Sequence, residues 1–210
     1  MRSNSLYLLL ALFLGFPLAS PATGGTIPIH LKYQPGRELT SLRQRLGSTL
    51  GMAPFKDVRT GRQYIGHHRS LRGISNYFKS DPFPLERAIK ESLSHTLSRY
   101  GISTNSISNW DRKPESLKKF EVDSVLLIEI DRFWTEVRSV ASRANVNASI
   151  YLNIYLGVKK EGKVFAQKVY MGKEKTVANP TPERVEQIVN QLLTDIFDSF
   201  FSNPYEMPST

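Results

Sequence analysis

The sequence predicts an α+β protein: a two-layer sandwich with a mixed, mostly antiparallel sheet and two main helices on one of its faces. Residues 145–158 alternate apolar and polar without a break, the period-two signature of a strand with one dry and one wet face. Residues 84–100 and 181–201 instead repeat apolar residues every three or four positions, as a helix with one buried stripe does. Over 210 residues the chain is 40% hydrophobic and 22% charged, enough for one core and too apolar for wholesale disorder.

Taken in order, Ile27, Ile29, Leu31 and Tyr33 alternate with Pro28, His30 and Lys32, which reads as a first strand. Pro28 has no amide donor and so belongs at a sheet edge. Residues 35–47 are polar and basic and read as a loop with one helical turn. Residues 50–58 read as a second strand, weakened by Gly51 and Pro54. Residues 60–80, with three glycines and two adjacent histidines, read as a long loop and the least ordered part of the domain.

The first helix, 84–100, carries Leu85, Ala88, Ile89, Leu93, Leu97 and Tyr100 on one face and stops at Gly101. A short strand over 102–107 and a helical turn over 114–120 follow. Residues 124–137 open as Val-Leu-Leu-Ile and then alternate through Ile130; of Phe133 and Trp134, one packs beneath a helix and the other faces out. With 145–158 and 164–173 they make an antiparallel meander. Thr181 caps the last helix, Pro182 occupies its first turn, and its stripe runs from Val185 to Phe200.

The chain opens as a signal peptide. Arg2 precedes fourteen apolar residues, 6–19, too few for a comfortable membrane span, and Ser20-Pro21-Ala22 gives a small-x-small cleavage site. The expected organisation is a signal over 1–22, a linker over 23–25, one α+β domain over 26–201 and a flexible tail over 202–210. No other stretch is apolar enough to span a membrane. There is no cysteine, so disulfides, thiol catalysis and a lipid held on cysteine are excluded. Export to the periplasm, or association with the outer membrane without such a lipid, is the expected localisation.

Net charge is +9, or +8 once Arg2 leaves with the signal. A basic surface suits an envelope protein, an anionic lipid or a cell-wall polymer; export argues against nucleic acid. Nucleotide-loop, hydrolase-elbow and zinc-protease motifs are absent from the sequence, and neither enzymatic activity nor a cofactor is expected. Asp57, His67, His68 and Asp81 mix imidazole with carboxylate, but no motif spacing joins them; a small hydrolase using His67 and His68 is the alternative reading. The candidate partner contact is Asp57, Arg59, Arg62, Tyr64, His67, His68, Arg69 and Arg72, because arginine and tyrosine carry interface energy well. Tyr151 and Tyr155 on the wet face of their strand are a possible aromatic platform, against the plainer reading of tyrosines as good sheet formers. Asp57 and Arg59 also admit a structural reading, pinning a strand end to the loop.

The stretch Met52-Ala53-Pro54-Phe55-Lys56-Asp57-Val58-Arg59, then Ile65-Gly66, resembles the opening of the YajG-like lipoproteins of the bacterial envelope. The order that follows is similar too: a helix ending in Tyr100-Gly101, a hydrophobic strand with Phe133 after it, a long alternating strand, a return carrying Tyr170 and a last helix. The resemblance spans about residues 26–201. It implies a periplasmic domain without known catalysis, accessory to envelope assembly or lipid transport. The family's lipid-bearing cysteine is missing: Pro21 stands in its place.

Overall fold

A computed structural model describes residues 24–202. The proposed signal peptide and all but the first residue of the tail lie outside them. In chain order the elements are β1 (Thr26–His30), α1 (Leu42–Leu46), β2 (Thr49–Met52), β3 (Lys56–Asp57), β4 (Gly66–Arg69), β5 (Ser75–Asp81), α2 (Leu85–Arg99), β6 (Ser103–Ser106), β7 (Ser124–Val140), β8 (Arg143–Val158), β9 (Lys163–Ala178) and α3 (Pro182–Ser202). Short 3₁₀ turns cover Pro114–Lys119 and Lys159–Glu161. The result is a mixed α/β fold around one nine-stranded sheet.

β7 organises that sheet. One of its edges pairs with β8 along its whole length. The other takes three short strands in succession: β2 at Ser124–Leu126, β3 at Glu129–Ile130 and β4 at Thr135–Arg138. The strand expected over 50–58 is therefore two, because Ala53-Pro54-Phe55 interrupts it and Pro54 has no amide to donate. The backbone stays close across this gap: Ala53 donates to Leu126 at 3.0 Å and Val58 to Ile130 at 3.1 Å. The two longest ladders, β7 with β8 and β8 with β9, are antiparallel as expected. The pairings of β1, β2, β3 and β4 with β5, β6 and β7 add more parallel strands than the sequence suggested, the antiparallel β4–β5 hairpin apart.

Parity assigns the core. Val146, Ala148, Ile150, Leu152, Ile154, Leu156 and Val158 all enter one apolar cluster with the stripes of α2 and α3. On β7 the side chains entering it are Leu126, Ile128 and Ile130, then Phe133 and Val137. The switch from even to odd numbers happens at a bulge between Ile130 and Arg132, where one extra residue resets the alternation. Val125 and Leu127 face the other way, into a second cluster with Ala53, Trp110, Leu117 and Val122.

The region expected to be a long loop, residues 60–80, is mostly a hairpin. Its β4 pairs with both β5 and β7, and Gly66 allows the closest approach: a Cβ there would run into the backbone of Thr135. The sequence hid the strands because the outward side chains of β4 and β5 are polar and β4 finds its parallel partner seventy residues away.

A second feature of the fold joins α3 to the chain leaving β1. Glu186, Asn190, Thr194 and Asp198 stand four residues apart on the helix. Glu186 accepts from the His30 amide at 2.9 Å, and Asn190 accepts from Lys32 at 2.9 Å while donating to the His30 carbonyl at 3.0 Å. Thr194 bonds Gln34, and Asp198 accepts from the Gly36 amide and the Tyr33 hydroxyl, each at 2.8 Å. A line of side chains thus takes the place of a further strand and satisfies an exposed backbone edge. Burial, then the hydrogen bond to Asp198, raises the Tyr33 phenol far above its ordinary range, so Tyr33 stays a donor. Asp123 accepts from the amides and hydroxyls of Ser48 and Thr49, tying β2 to the start of β7. Burial opposes the ionisation of Asp123, but these hydrogen bonds outweigh it and hold the carboxyl below its usual range.

Candidate functional site

Among the described residues, the sheet face that turns away from the main cluster is covered at one end only. Residues 107–122 lie over it there, and Gly157 makes room: a Cβ at this position would press on Leu117 and Trp110. Beyond that cover the face displays aromatic and charged side chains. His67 on β4 lies in register with Tyr77 on β5 and with Glu136 on β7. Trp134 is in register with Ser149, and Ser149 with Gly172, so two small residues lie beside the indole. Arg132, Tyr151 and Tyr170 make the next row.

The rings touch across the strands. Tyr64 stacks on Tyr77 with centroids 4.6 Å apart. His67 lies 5.7 Å from Trp134 and 6.4 Å from Tyr77. Tyr151 meets Tyr170 edge-on at 6.3 Å. Tyr77 is 40% exposed and Tyr170 65%, high values for rings of this size.

The residues expected to act together at a partner contact divide into two groups. Asp57 and Arg59 are buried and spend their hydrogen bonds on each other and on the backbone. The guanidinium meets the Asp57 carboxylate through Nε at 2.8 Å and Nη2 at 2.7 Å. Its Nη1 donates to the carbonyls of Phe133 at 2.9 Å and Tyr64 at 3.0 Å, and its Nη2 reaches the Arg62 carbonyl at 3.4 Å. One side chain thereby clamps β3, the turn over 60–64 and β7 just past the bulge. Arg62 is exposed and bonds back to the Arg59 carbonyl at 3.3 Å. Tyr64 and His67 belong to the aromatic face. Arg69 and Arg72 are exposed at the far end of the β4–β5 hairpin.

His67 and His68 point to opposite faces of β4, as neighbours in a strand must. His67 lies 3.7 Å from Glu136, whose carboxylate also takes Arg138 at 2.7 Å. The His68 ring nitrogen Nε2 sits 2.8 Å from the Ser139 hydroxyl. Burial, followed by the charge of His67, lowers the pKa of His68 below the ordinary histidine value and favours the neutral ring. Among the described residues no group of three His, Asp or Glu side chains is placed to hold a metal ion.

Tyr151 and Tyr155 do not form one platform. Both point to the same face, but four residues of strand separate them by about 13 Å. Tyr151 pairs with Tyr170, whereas the Tyr155 ring lies under Arg112, 4.8 Å from its guanidinium carbon. Glu129 gathers Arg112 at 3.3 Å, Lys56 at 3.8 Å and the Tyr155 hydroxyl at 3.4 Å, and closes this end of the face.

No protein-family model matches the sequence, and no curated protein matches it. Among solved structures, a DUF330 protein from Xanthomonas campestris superposes with a TM-score of 0.52 at 14% identity, covering 84% of this chain and 91% of that one. This chain folds like a DUF330 protein. Lipoprotein GNA1162 from Neisseria meningitidis superposes more loosely, with a TM-score of 0.40 at 13% identity over 71% of this chain and 98% of that one. A homolog of neuraminyllactose-binding hemagglutinin from Helicobacter pylori gives 0.37 at 14% identity over 84% and 91%. On this DUF330-like fold, Trp134, Tyr170, Tyr77 and Ser139 are candidate site residues that the sequence reading did not group. The parity of the strands carried a signal for Trp134 and Tyr170, which share a face with Tyr151 once the bulge is counted.

Proposed function

We propose that this chain is a non-enzymatic binding module of the bacterial envelope, of the YajG-like kind, and that the open aromatic face of its sheet holds a partner protein. In this reading α2 and α3 form the second layer of a two-layer sandwich, and the face they leave bare is the working surface. The observation that carries it is the set of Trp134, Tyr77, His67, Tyr151 and Tyr170 across five strands, with Tyr64 stacked beside them and Tyr77 and Tyr170 substantially exposed. Rings are usually withdrawn from water, and tyrosine, tryptophan and arginine are the residue types that anchor interfaces. Arg132 and Arg138 flank the rings and are exposed. No helix of the described residues is long and apolar enough to cross a membrane.

Photocrosslinking in intact cells tests the proposal. A photoreactive residue at Tyr170 is expected to give a discrete protein adduct, and one at Gln187 on α3 is not. Adding Trp134→Ala should abolish the Tyr170 adduct without altering the circular dichroism spectrum. Equal crosslinking from both positions, or an adduct indifferent to Trp134, rules the face out.

One observation favours the hydrolase reading: the Ser139 hydroxyl lies within hydrogen-bonding distance of a largely neutral His68. A hydroxyl beside an imidazole is the minimum for nucleophilic catalysis. A panel of short-chain esters compared with Ser139→Ala separates the two readings. We expect no hydrolysis above that of the variant; turnover lost with Ser139 would make this an enzyme.

A further inference from the structure

Three turns meet at the end of the sheet opposite Asp123. They are residues 70–74 between β4 and β5, 141–142 between β7 and β8, and 179–181 before α3. Two side chains there are exposed against their chemistry: Leu71 is 64% accessible and Val140 59%. Between the turns lies a cavity of about 420 Å³, lined by Ser70, Leu71, Arg72, Ser139, Arg143 and Asn179 among others. The charge is mostly basic. Segments 69–75, 138–145 and 175–181 contain Arg69, Arg72, Arg138, Arg143 and Lys175 and no acidic residue, and Glu183 at the start of α3 is bonded back to Thr181. Arg69 and Arg138 stand in register on adjacent strands, an arrangement of like charges that works against sheet stability. Glu136 partners Arg138, while Arg69, Arg72 and Arg143 are exposed around the two apolar side chains.

Exposed apolar side chains ringed by arginine match the surface of an anionic bilayer: the apolar tips enter the acyl boundary and the guanidinium groups meet phosphate. A protein partner would need acidic residues around an apolar socket, whereas an anionic lipid surface supplies an apolar layer and a phosphate layer together. Arg72 and Arg143 both line this cavity, along with Ser70, Ser139 and Ser142, and guanidinium and hydroxyl groups are donors suited to a lipid headgroup phosphate. From this geometry we infer that the hairpin end, built from Leu71, Val140, Arg69, Arg72 and Arg143, docks the protein on an anionic membrane surface. The inference rests on the envelope reading for the presence of a bilayer, but it uses neither Trp134 nor Tyr170.

Vesicle flotation tests it. The protein is expected to float with vesicles of phosphatidylcholine mixed with phosphatidylglycerol, to stay behind with phosphatidylcholine alone, and to bind less as salt rises. Arg72→Gln with Arg143→Gln should weaken binding about thirtyfold, taking about fivefold for each cation at the surface. Leu71→Ser with Val140→Ser should weaken it at least about tenfold, as burial of two aliphatic side chains is lost. All four positions are exposed or at turns, and an unchanged urea midpoint confirms folding. Indifference to phosphatidylglycerol, or tip variants that float like the parent, overturns the inference. So does displacement by soluble glycerol 3-phosphate, which would mark a free anion site instead. Loss of flotation with the Tyr170 adduct intact would leave the partner-binding face standing, and the converse would leave the tip.

Discussion

Arg59→Met is expected to destabilise the protein by about 3–5 kcal/mol, because it strands a buried carboxylate. Asp57 is 7% exposed and Arg59 8%, so water replaces little of what is lost. Among the described residues, the Asp57 carboxylate would keep only the Arg59 backbone amide, at 3.2 Å. The carbonyls of Phe133 and Tyr64 would lose their donor as well. Methionine keeps the length and apolar stem of the side chain, so the loss reads the guanidinium and not a cavity. Urea titration measures the effect, and Asp57→Ala with Arg59→Met completes the comparison. Removing both charges relieves the stranded carboxylate, so the double variant should be no less stable than Arg59→Met alone. A single variant within about 1 kcal/mol of the parent would mean that the clamp is worth no more than a surface ion pair. The Tyr64 ring is the functional readout. With the Arg59 bonds to the Arg62 and Tyr64 carbonyls gone, the turn that stacks Tyr64 on Tyr77 is released, and crosslinking from the aromatic face should fall with it.

What was legible in the sequence was whatever a short window contains. β8 was written in seven alternating apolar residues, and α2 and α3 in stripes with caps or stops. The face of Trp134 was harder, since the bulge at residue 131 breaks parity within one strand and nothing local announces it. The β4–β5 hairpin was missed for a different reason. Its residues look like a loop because His67, Arg69, Tyr77 and Lys79 alternate with few aliphatic side chains, and the pairing that holds β4 comes from Thr135–Arg138. The line Glu186, Asn190, Thr194 and Asp198 was visible as polar residues at spacing four, but its purpose depends on a segment more than 150 positions away. The Ser139–His68 pair and the apolar tip are of the same kind: the first joins paired strands and the second joins turns, and only the folded sheet brings either together.

Leu152→Ala is expected to cost about 2–5 kcal/mol, the range for a large side chain truncated inside a packed core. Leu152 is fully buried in the middle of β8, between Ile130 on β7 and Val169 on β9, in the cluster that α2 and α3 close. Rigid strands on both sides limit collapse into the vacated space, so the cavity persists and the cost belongs in the upper half of that range. Asn153→Ala is the internal control one residue away. Asn153 points to the open face, is only partly buried, and donates to Asp131 at 2.7 Å across the bulge. Its loss removes one hydrogen bond and no apolar core volume, for about 1 kcal/mol. The two variants share a strand and a ladder, so a general weakening of β8 cannot separate them; only the difference between the two faces can. Urea midpoints for both, with the slope held common, give that difference directly. Equal losses would mean that β8 is buried on both faces, and the open aromatic surface would then have to be covered by something in the folded chain.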